Sequence, residues 1–273
     1  RAGARTAFVC ALCDDAGGAL ARQLAAAEGI DLRAEASDQP TGTAGIYVDA
    51  RGRNSIVIGA GANGSLGTAQ FDADPALLDG ARVLLAQLES PVETIEAVLA
   101  AARDAGVTTV LNPAPANAQS SIGLLRLADV LTPNETEFAA LLARHVGERV
   151  DAEAVAALDG ARLHALCRKL LPHGSVVVTL GSVGVFVSHA DEQGHGDAQA
   201  YYRVGAENVT ASDTTGAGDA FNGALVASLA TAPEAAFATH VRFANRYAAL
   251  STERPGAALS MPSLAEVGDR FGG

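Results

Sequence analysis

Positive charge is scarce in this chain. Only 19 of its 273 residues are Lys or Arg, against 31 Asp or Glu, for a formal net charge of −12. That imbalance argues against a surface for nucleic acid or anionic lipid, each of which demands clustered cations. It also means that a polyphosphate would have to be held by a local positive potential from amides, a metal ion and a few side chains. No apolar run reaches the roughly 18 residues needed to cross a bilayer. Arg1–Ala11 has neither the length nor the cleavage pattern of a secretory signal, so a cytoplasmic location is expected. Three cysteines suit a reducing compartment better than a disulfide scaffold. Cys10-Ala11-Leu12-Cys13 has thioredoxin-type spacing, but no further thiol or ligand cluster supports a redox role. The six histidines show no metal-binding spacing, and His189 and His195 fall in a polar turn expected to be exposed. No G-x-x-x-x-G-K-[ST] motif occurs, which excludes a P-loop.

What is present is a packed α/β pattern. Hydrophobic residues make up 49% of the chain and charged residues 18%, enough to bury one large core or two modest ones. A helix is expected over Asp14–Gly29, with Leu20, Leu24 and Ala27 on one face. Thr43–Val48 and Ser55–Ile58, separated by a polar stretch, read as a hairpin. Val83–Leu88 is a continuous apolar run, Ser90 and Pro91 suit the N-cap and first helical positions, the helix runs to Gly106, and Val107–Leu111 is the next buried strand. Ala128–Leu131 and Ser175–Leu180 are further strands. Glu135–Ala143 is a helix and Asp151–Leu171 a longer helical region. Gly184–Ser188 and Tyr201–Val204 read as an antiparallel edge, and Ala220–Ala230, Glu234–Leu250 and Ser263–Phe271 as the final helices. Short buried strands alternating with helices predict a three-layer α/β/α fold around a doubly wound, mostly parallel sheet. Ligands bind beyond the carboxyl ends of such strands, which is where Glu89, Asn112, Asn134 and Gly181 fall.

The run Asp213-Thr214-Thr215-Gly216-Ala217-Gly218-Asp219-Ala220-Phe221 joins small flexible residues, two carboxylates and the start of an apolar-periodic helix. Gly216–Gly218 would lie at that helix's N-terminus, where unpaired amides and the helix dipole attract anions. Asp219 would sit in the first turn, either as an ordinary helix-capping carboxylate or as a base taking a proton from an attacking hydroxyl. Asn134 and Glu137, three apart near a helix start, could hold phosphate oxygens and a hydrated Mg²⁺; the alternative is ordinary capping of that helix by Thr132 or Asn134. Glu89, after an apolar strand, is either a hydroxyl acceptor or half of a buried ion pair with an Arg. Gly59-Ala60-Gly61-Ala62-Asn63-Gly64 matches a dinucleotide fingerprint, but the residues after it open a helix poorly.

The nine-residue run, with Gln87-Leu88-Glu89-Ser90-Pro91, Leu111-Asn112-Pro113-Ala114-Pro115-Ala116, Thr132-Pro133-Asn134-Glu135-Thr136-Glu137 and Thr179-Leu180-Gly181-Ser182, resembles the ribokinase-like family of carbohydrate kinases. The resemblance extends from about Ala7 to the C-terminus. It implies ATP-dependent phosphorylation of the 5-hydroxyl of ribose, with another sugar or nucleoside as the neighbouring alternative. By resemblance, Asp219 is the catalytic base and the amides of Gly216, Ala217 and Gly218 form the anion hole. Glu89, Asp219 and Asn63 face the sugar. Asn134, Thr179, Gly181, Ser182, Val183, Gly184, Gly218 and Asn245 lie on the ATP side. Glu137 holds Mg²⁺ through water, and Asp213, Thr215, Ser251, Arg254, Gly256 and Ser260 hold an activating K⁺. The same resemblance implies a core of residues 1–40 and 60–273, with residues 41–59 forming the hairpin of a small β lid through which a homodimer pairs. In the family a strand and a Gly-Gly-Lys-Gly-Ala-Asn-like segment contacting the sugar precede the region matching Arg1, and this sequence starts after them. If that segment is missing, a non-catalytic nucleotide-binding sensor is the alternative in a different functional class.

Overall fold

The computed structural model describes residues 1–48, 54–190 and 195–272. Its first elements form two small sheets. Strands β1 (Ala7–Leu12) and β2 (Asp31–Ala36) run parallel, joined by helix α1 (Ala16–Ala27). Asp15 caps α1 by accepting from the Gly18 amide at 2.8 Å, and also accepts from the Thr41 amide and hydroxyl at 2.9 and 2.7 Å. The entry to the next element is thereby fixed. Strands β3 (Thr43–Val48) and β4 (Asn54–Gly59) pair antiparallel, as the hairpin pattern predicted. The turn of that hairpin lies outside the described residues. The expected face of α1 is not the one it buries. Leu20 and Ala27 are exposed and the helix packs through Gly18 and Ala25.

Gly61–Ser65 is a 3₁₀ turn, so the glycine-rich segment opens no α-helix of the kind a dinucleotide site needs. Gly61 is required there. Its φ is +49° and a Cβ would come within 2.1 Å of the Pro40 carbonyl oxygen. A short helix α2 (Ala69–Ala73) leads into the large sheet.

Strand β5 (Val83–Ala86), helix α3 (Val92–Asp104), β6 (Thr108–Leu111), α4 (Ile122–Leu125) and β7 (Val130–Leu131) follow. Next come α5 (Glu135–Leu141), α6 (Ala152–Val155), α7 (Gly160–Leu170), β8 (Ser175–Thr179), β9 (Gly184–Ser188) and β10 (Tyr201–Gly205). The chain ends with α8 (Ala217–Thr231), α9 (Phe237–Ser251) and α10 (Leu264–Phe271). Sheet order is β10-β9-β8-β7-β6-β5, with β5 to β8 parallel and β9 and β10 antiparallel.

Four parallel strands laid down in one direction place their right-handed crossovers on a single face. The two cores bear this out. Leu111, Leu131, Val176, Val178 and Phe186 point to the side covered by α3, α4, α5 and α7. Their neighbours Val110, Val130, Val177, Val185 and Val187 point to the other side, which α8, α9 and α10 cover. Alternation within apolar strands buried on both faces produces the three-layer α/β/α sandwich.

Local boundaries differ from expectation where local chemistry wins. Pro91, not Ser90, is the N-cap of α3 and makes no side-chain capping bond. The Asp151–Leu171 region is two helices, because Asp159 caps a new start by accepting from the Arg162 amide. Helix α5 ends in a π turn at Leu142–Val146. Strand β2 carried no signal strong enough to predict it. His189 corrects the expectation of an exposed turn: it is 0% exposed, while His195 is exposed. Its ring bonds the Ser175 hydroxyl at 2.7 Å and Asp197 at 3.1 Å, and Asp197 in turn accepts from the Ala238 amide in the first turn of α9. This Ser–His–Asp line is sealed in the core, where burial keeps the imidazole pKa low. It braces β8, β9 and α9.

Candidate active site

The carboxyl ends of β5 to β8 converge on the start of α8. Gly216 is the N-cap of that helix with φ +76°, a left-handed conformation open to glycine at little cost. The helix begins at Ala217, earlier than periodicity suggested, because small residues carry no hydrophobic signal. Asp219 is its third residue. Of the three amides expected to form an anion hole, that of Ala217 is already engaged by the Thr214 carbonyl at 3.2 Å. Among the described residues nothing accepts from the Gly216 or Gly218 amide, so those two are the available donors.

Asp219 is reached by solvent yet walled by protein, as in a cleft, and this loss of solvation raises its pKa. A helix N-terminus alone would lower it, but burial is the cause that prevails. No described group hydrogen-bonds or ion-pairs with its carboxylate, so helix capping does not account for it. Glu89 lies just beyond β5, held by the Leu88 amide on the Ala114 carbonyl at 3.0 Å. It has no Arg partner among the described residues, which removes the ion-pair reading. Its pKa is raised by burial and then by the charge of Asp219.

Glu137 is buried, and its pKa is raised by burial and by Asp219 and Glu135, against a lowering bond from the Asn134 amide. Asn134 caps α5: its Oδ1 accepts from the Glu137 amide and Glu137 Oε2 accepts from the Asn134 amide, both at 2.9 Å. Capping is therefore real, and it occupies one oxygen of each side chain. Glu137 Oε1 and the Asn134 amide nitrogen remain available. Thr132 takes no part in the cap.

Glu89 and Glu137 thus each lie close enough to Asp219 to feel its charge, with no cation among the causes of the three shifts. That donor set fits a hydrated divalent ion held partly by phosphate oxygens. No group of three or more His, Cys, Asp or Glu among the described residues could by itself enclose a metal. A fully protein-ligated ion is not what the site offers.

The remaining candidates are placed as follows. Thr179 donates its amide to the Pro133 carbonyl at 3.0 Å, which joins the end of β8 to the α5 cap. Gly181–Val183 is a 3₁₀ turn with Gly181, Ser182 and Val183 exposed beside it. Gly184 has φ +106°, and a Cβ there would strike the Val204 carbonyl at 2.1 Å. The side chain of Asn245 is committed to the Gly205 carbonyl at 2.9 Å. Asn63 packs against Gly42 at the foot of the hairpin. Asp213 accepts from the Thr215 and Gly256 amides, both at 2.9 Å, so its side chain ties two loops together and any cation there must rely on carbonyls. Ser251 and Ser260 are buried nearby, and Arg254 pairs with Glu266. Sequence reasoning missed Asn222, a buried amide on the apolar face of α8, four residues after Gly218; that spacing was the available signal.

The chain is also similar to known proteins. The family model described as pfkB family carbohydrate kinase matches residues 1–264. The ribokinase of Haemophilus influenzae is 35% identical over 269 residues, covering 98% of this chain and 81% of that protein. The deoxyribokinase of Salmonella typhi is 30% identical over 231 residues, covering 84% of this chain and 69% of that one. The solved ribokinase of Arabidopsis thaliana, complexed with ribose and ATP, superposes with a TM-score of 0.78 at 28% identity, covering 96% of this chain and 80% of that one.

Proposed function

The chain belongs to the pfkB family of carbohydrate kinases, and from that premise we propose that it transfers the γ-phosphoryl group of ATP to the 5-hydroxyl of D-ribose. The observation that carries this reading is the unpartnered Asp219 carboxylate beside the free Gly216 and Gly218 amides. Asp219 takes the proton of the 5-hydroxyl as its oxygen bonds to the γ-phosphorus. The bond from that phosphorus to the β,γ-bridging oxygen breaks, and ADP and ribose 5-phosphate leave. The two amides hold the equatorial oxygens, where charge gathers in a loose transition state. The raised pKa makes Asp219 a better base than an ordinary exposed carboxylate.

Glu89 and Asn63 accept and donate to the other sugar hydroxyls. The ATP side is formed by Asn134, Thr179, Gly181, Ser182, Val183, Gly184 and Gly218, with Asn245 behind it. Glu137 would hold Mg²⁺ through water, and the ion would supply charge neutralisation at the phosphates. A K⁺ ion among the carbonyls of Asp213, Thr215, Ser251, Arg254, Gly256 and Ser260 would strengthen the field of the anion hole. The hairpin of residues 41–59 acts as the lid. It exposes Tyr47 and Val57 on one face, which suits pairing of two copies in the cytoplasm.

The deoxyribokinase similarity favours 2-deoxyribose as the second reading. A coupled assay of ADP release with ribose, 2-deoxyribose, fructose and adenosine, with and without K⁺, separates them. Selective turnover of ribose is expected. Preference for 2-deoxyribose supports the second reading, and tight ATP binding without turnover of any acceptor overturns both.

A further inference from the structure

A buried polar chain connects the two helix starts that frame the cleft. Asn112, just after β6, donates its side-chain amide to the Thr132 carbonyl at 2.8 Å. The Thr132 hydroxyl donates to Asn222 Oδ1 at 2.6 Å. Asn222 Nδ2 then donates to the Gly218 carbonyl at 2.9 Å. All three side chains are buried, at 9%, 1% and 4% exposure. Thr132 stands two residues before Asn134, the cap of α5, and Gly218 belongs to the peptide that carries Asp219.

The polarity of this chain is set by its chemistry. Asn222 Nδ2 can only donate, so it must face the carbonyl, and Oδ1 must face the hydroxyl. An unmade bond in such a place is expensive. A helix interior seldom holds Asn, whose side chain competes for backbone groups. Here that competition is directed at one chosen carbonyl in the first turn.

We propose that Asn222 and Thr132 are positioning residues that fix the spacing between the α5 and α8 N-termini, and so hold Asp219 and the Gly218 amide in line with the nucleotide's terminal phosphate. The catalytic consequence rests on the kinase reading above; the mechanical one does not. Neither side chain touches substrate. Their effect passes through the orientation of the Gly218–Asp219 peptide, where a displacement of about 1 Å can cost a hundredfold in rate.

The test compares Thr132→Val, Asn222→Ala and Thr132→Ser in the full chain. Steady-state kinetics use whichever sugar the unaltered protein phosphorylates. Peptide-resolved hydrogen exchange is read in parallel over residues 214–222. Thr132→Val and Asn222→Ala should lower kcat about 10- to 100-fold with KM for ATP and sugar within threefold. Exchange in the first turn of α8 should quicken while distant helices are unchanged. Thr132→Ser, which keeps the hydroxyl, should restore both readouts. The double variant should be no worse than Asn222→Ala, because one chain is broken only once. Unchanged exchange at 214–222, or equal loss in Thr132→Ser and Thr132→Val, overturns the proposal. If the unaltered protein phosphorylates nothing while the exchange pattern appears, the kinase reading fails and the positioning link stands. Should Asn222→Ala not fold, the Val and Ser pair at 132 decides alone.

Discussion

Glu137 is where capping and the proposed metal role overlap, and two substitutions separate them. Its Oε2 accepts from the Asn134 amide at 2.9 Å while Oε1 is free. Glu137→Gln keeps a carbonyl oxygen for the cap and removes the charge. Glu137→Ala removes both. The alanine variant forfeits a hydrogen bond of about 0.5–1.5 kcal/mol and one buried methylene of about 0.8 kcal/mol. The sum, roughly 1.3–2.3 kcal/mol, is partly offset because the disfavoured charge goes too, so Tm falls by no more than about 3–9 °C at ~2–4 °C per kcal/mol for domains of this size class. The glutamine variant should melt no lower than the parent, since it deletes a charge that burial, Asp219 and Glu135 all disfavour. Both variants should lose at least tenfold in kcat and require more Mg²⁺ at fixed ATP. Differential scanning calorimetry and Mg²⁺ titrations of the coupled assay read the two effects separately. A glutamine variant with unaltered Mg²⁺ dependence and kcat would reduce Glu137 to a helix cap.

Asp219→Asn should keep ribose and ATP binding by calorimetry but lower kcat by about 10²- to 10⁴-fold; near-normal turnover would remove Asp219 from the chemistry. Because Asp219, Glu89 and Glu137 have raised pKa values when folded, these groups favour the folded state most below the ordinary carboxylate range near pH ~4. That contribution is lost as pH rises through the raised values. Activity runs the opposite way, since the base must be ionised, so kcat/KM should fall as these three groups protonate, at a higher pH than the one where Tm drops through loss of the bonded carboxylates with lowered pKa, such as Asp15 and Glu266. ATP with Mg²⁺ should stabilise the protein by about 2.7 kcal/mol at a hundredfold excess over Kd, and ATP with EDTA by much less; equal shifts in Tm would show that no divalent ion is needed.

Elements with strong periodicity were legible in the sequence. The valines of β8 and the Ser263 start of α10 are examples, the latter confirmed by its capping box with Glu266. The start of α8 was placed correctly in kind but late in position, because Ala217 and Gly218 have almost no side chain to pattern. His189 was misplaced for a different reason. A histidine opening a polar stretch looks exposed until its partners Ser175 and Asp197, 14 and 8 residues away, are brought to it. Asn222 shows the same limit: nothing in one sequence states which distant hydroxyl will meet a buried amide. Linear spacing reveals groups on one element and hides those assembled from several.

The electrostatics of the cleft follow from the scarcity of cations with which the sequence began. The chain's single lysine, Lys169, is on α7 and pairs with Glu148. Arg254, close in sequence to the loops around Asp213, is paired with Glu266. Neither is spent on the three carboxylates at the opening. A nucleotide therefore brings further negative charge to a site that already disfavours its own. Two amides and a helix dipole of about half a charge are too little to reverse that balance. On the proposed reading, a divalent ion between Glu137 and the phosphates would supply the rest. The acidic cleft would then couple nucleotide binding to the metal, and the raised pKa of Asp219 would suit it to the proposed role of base.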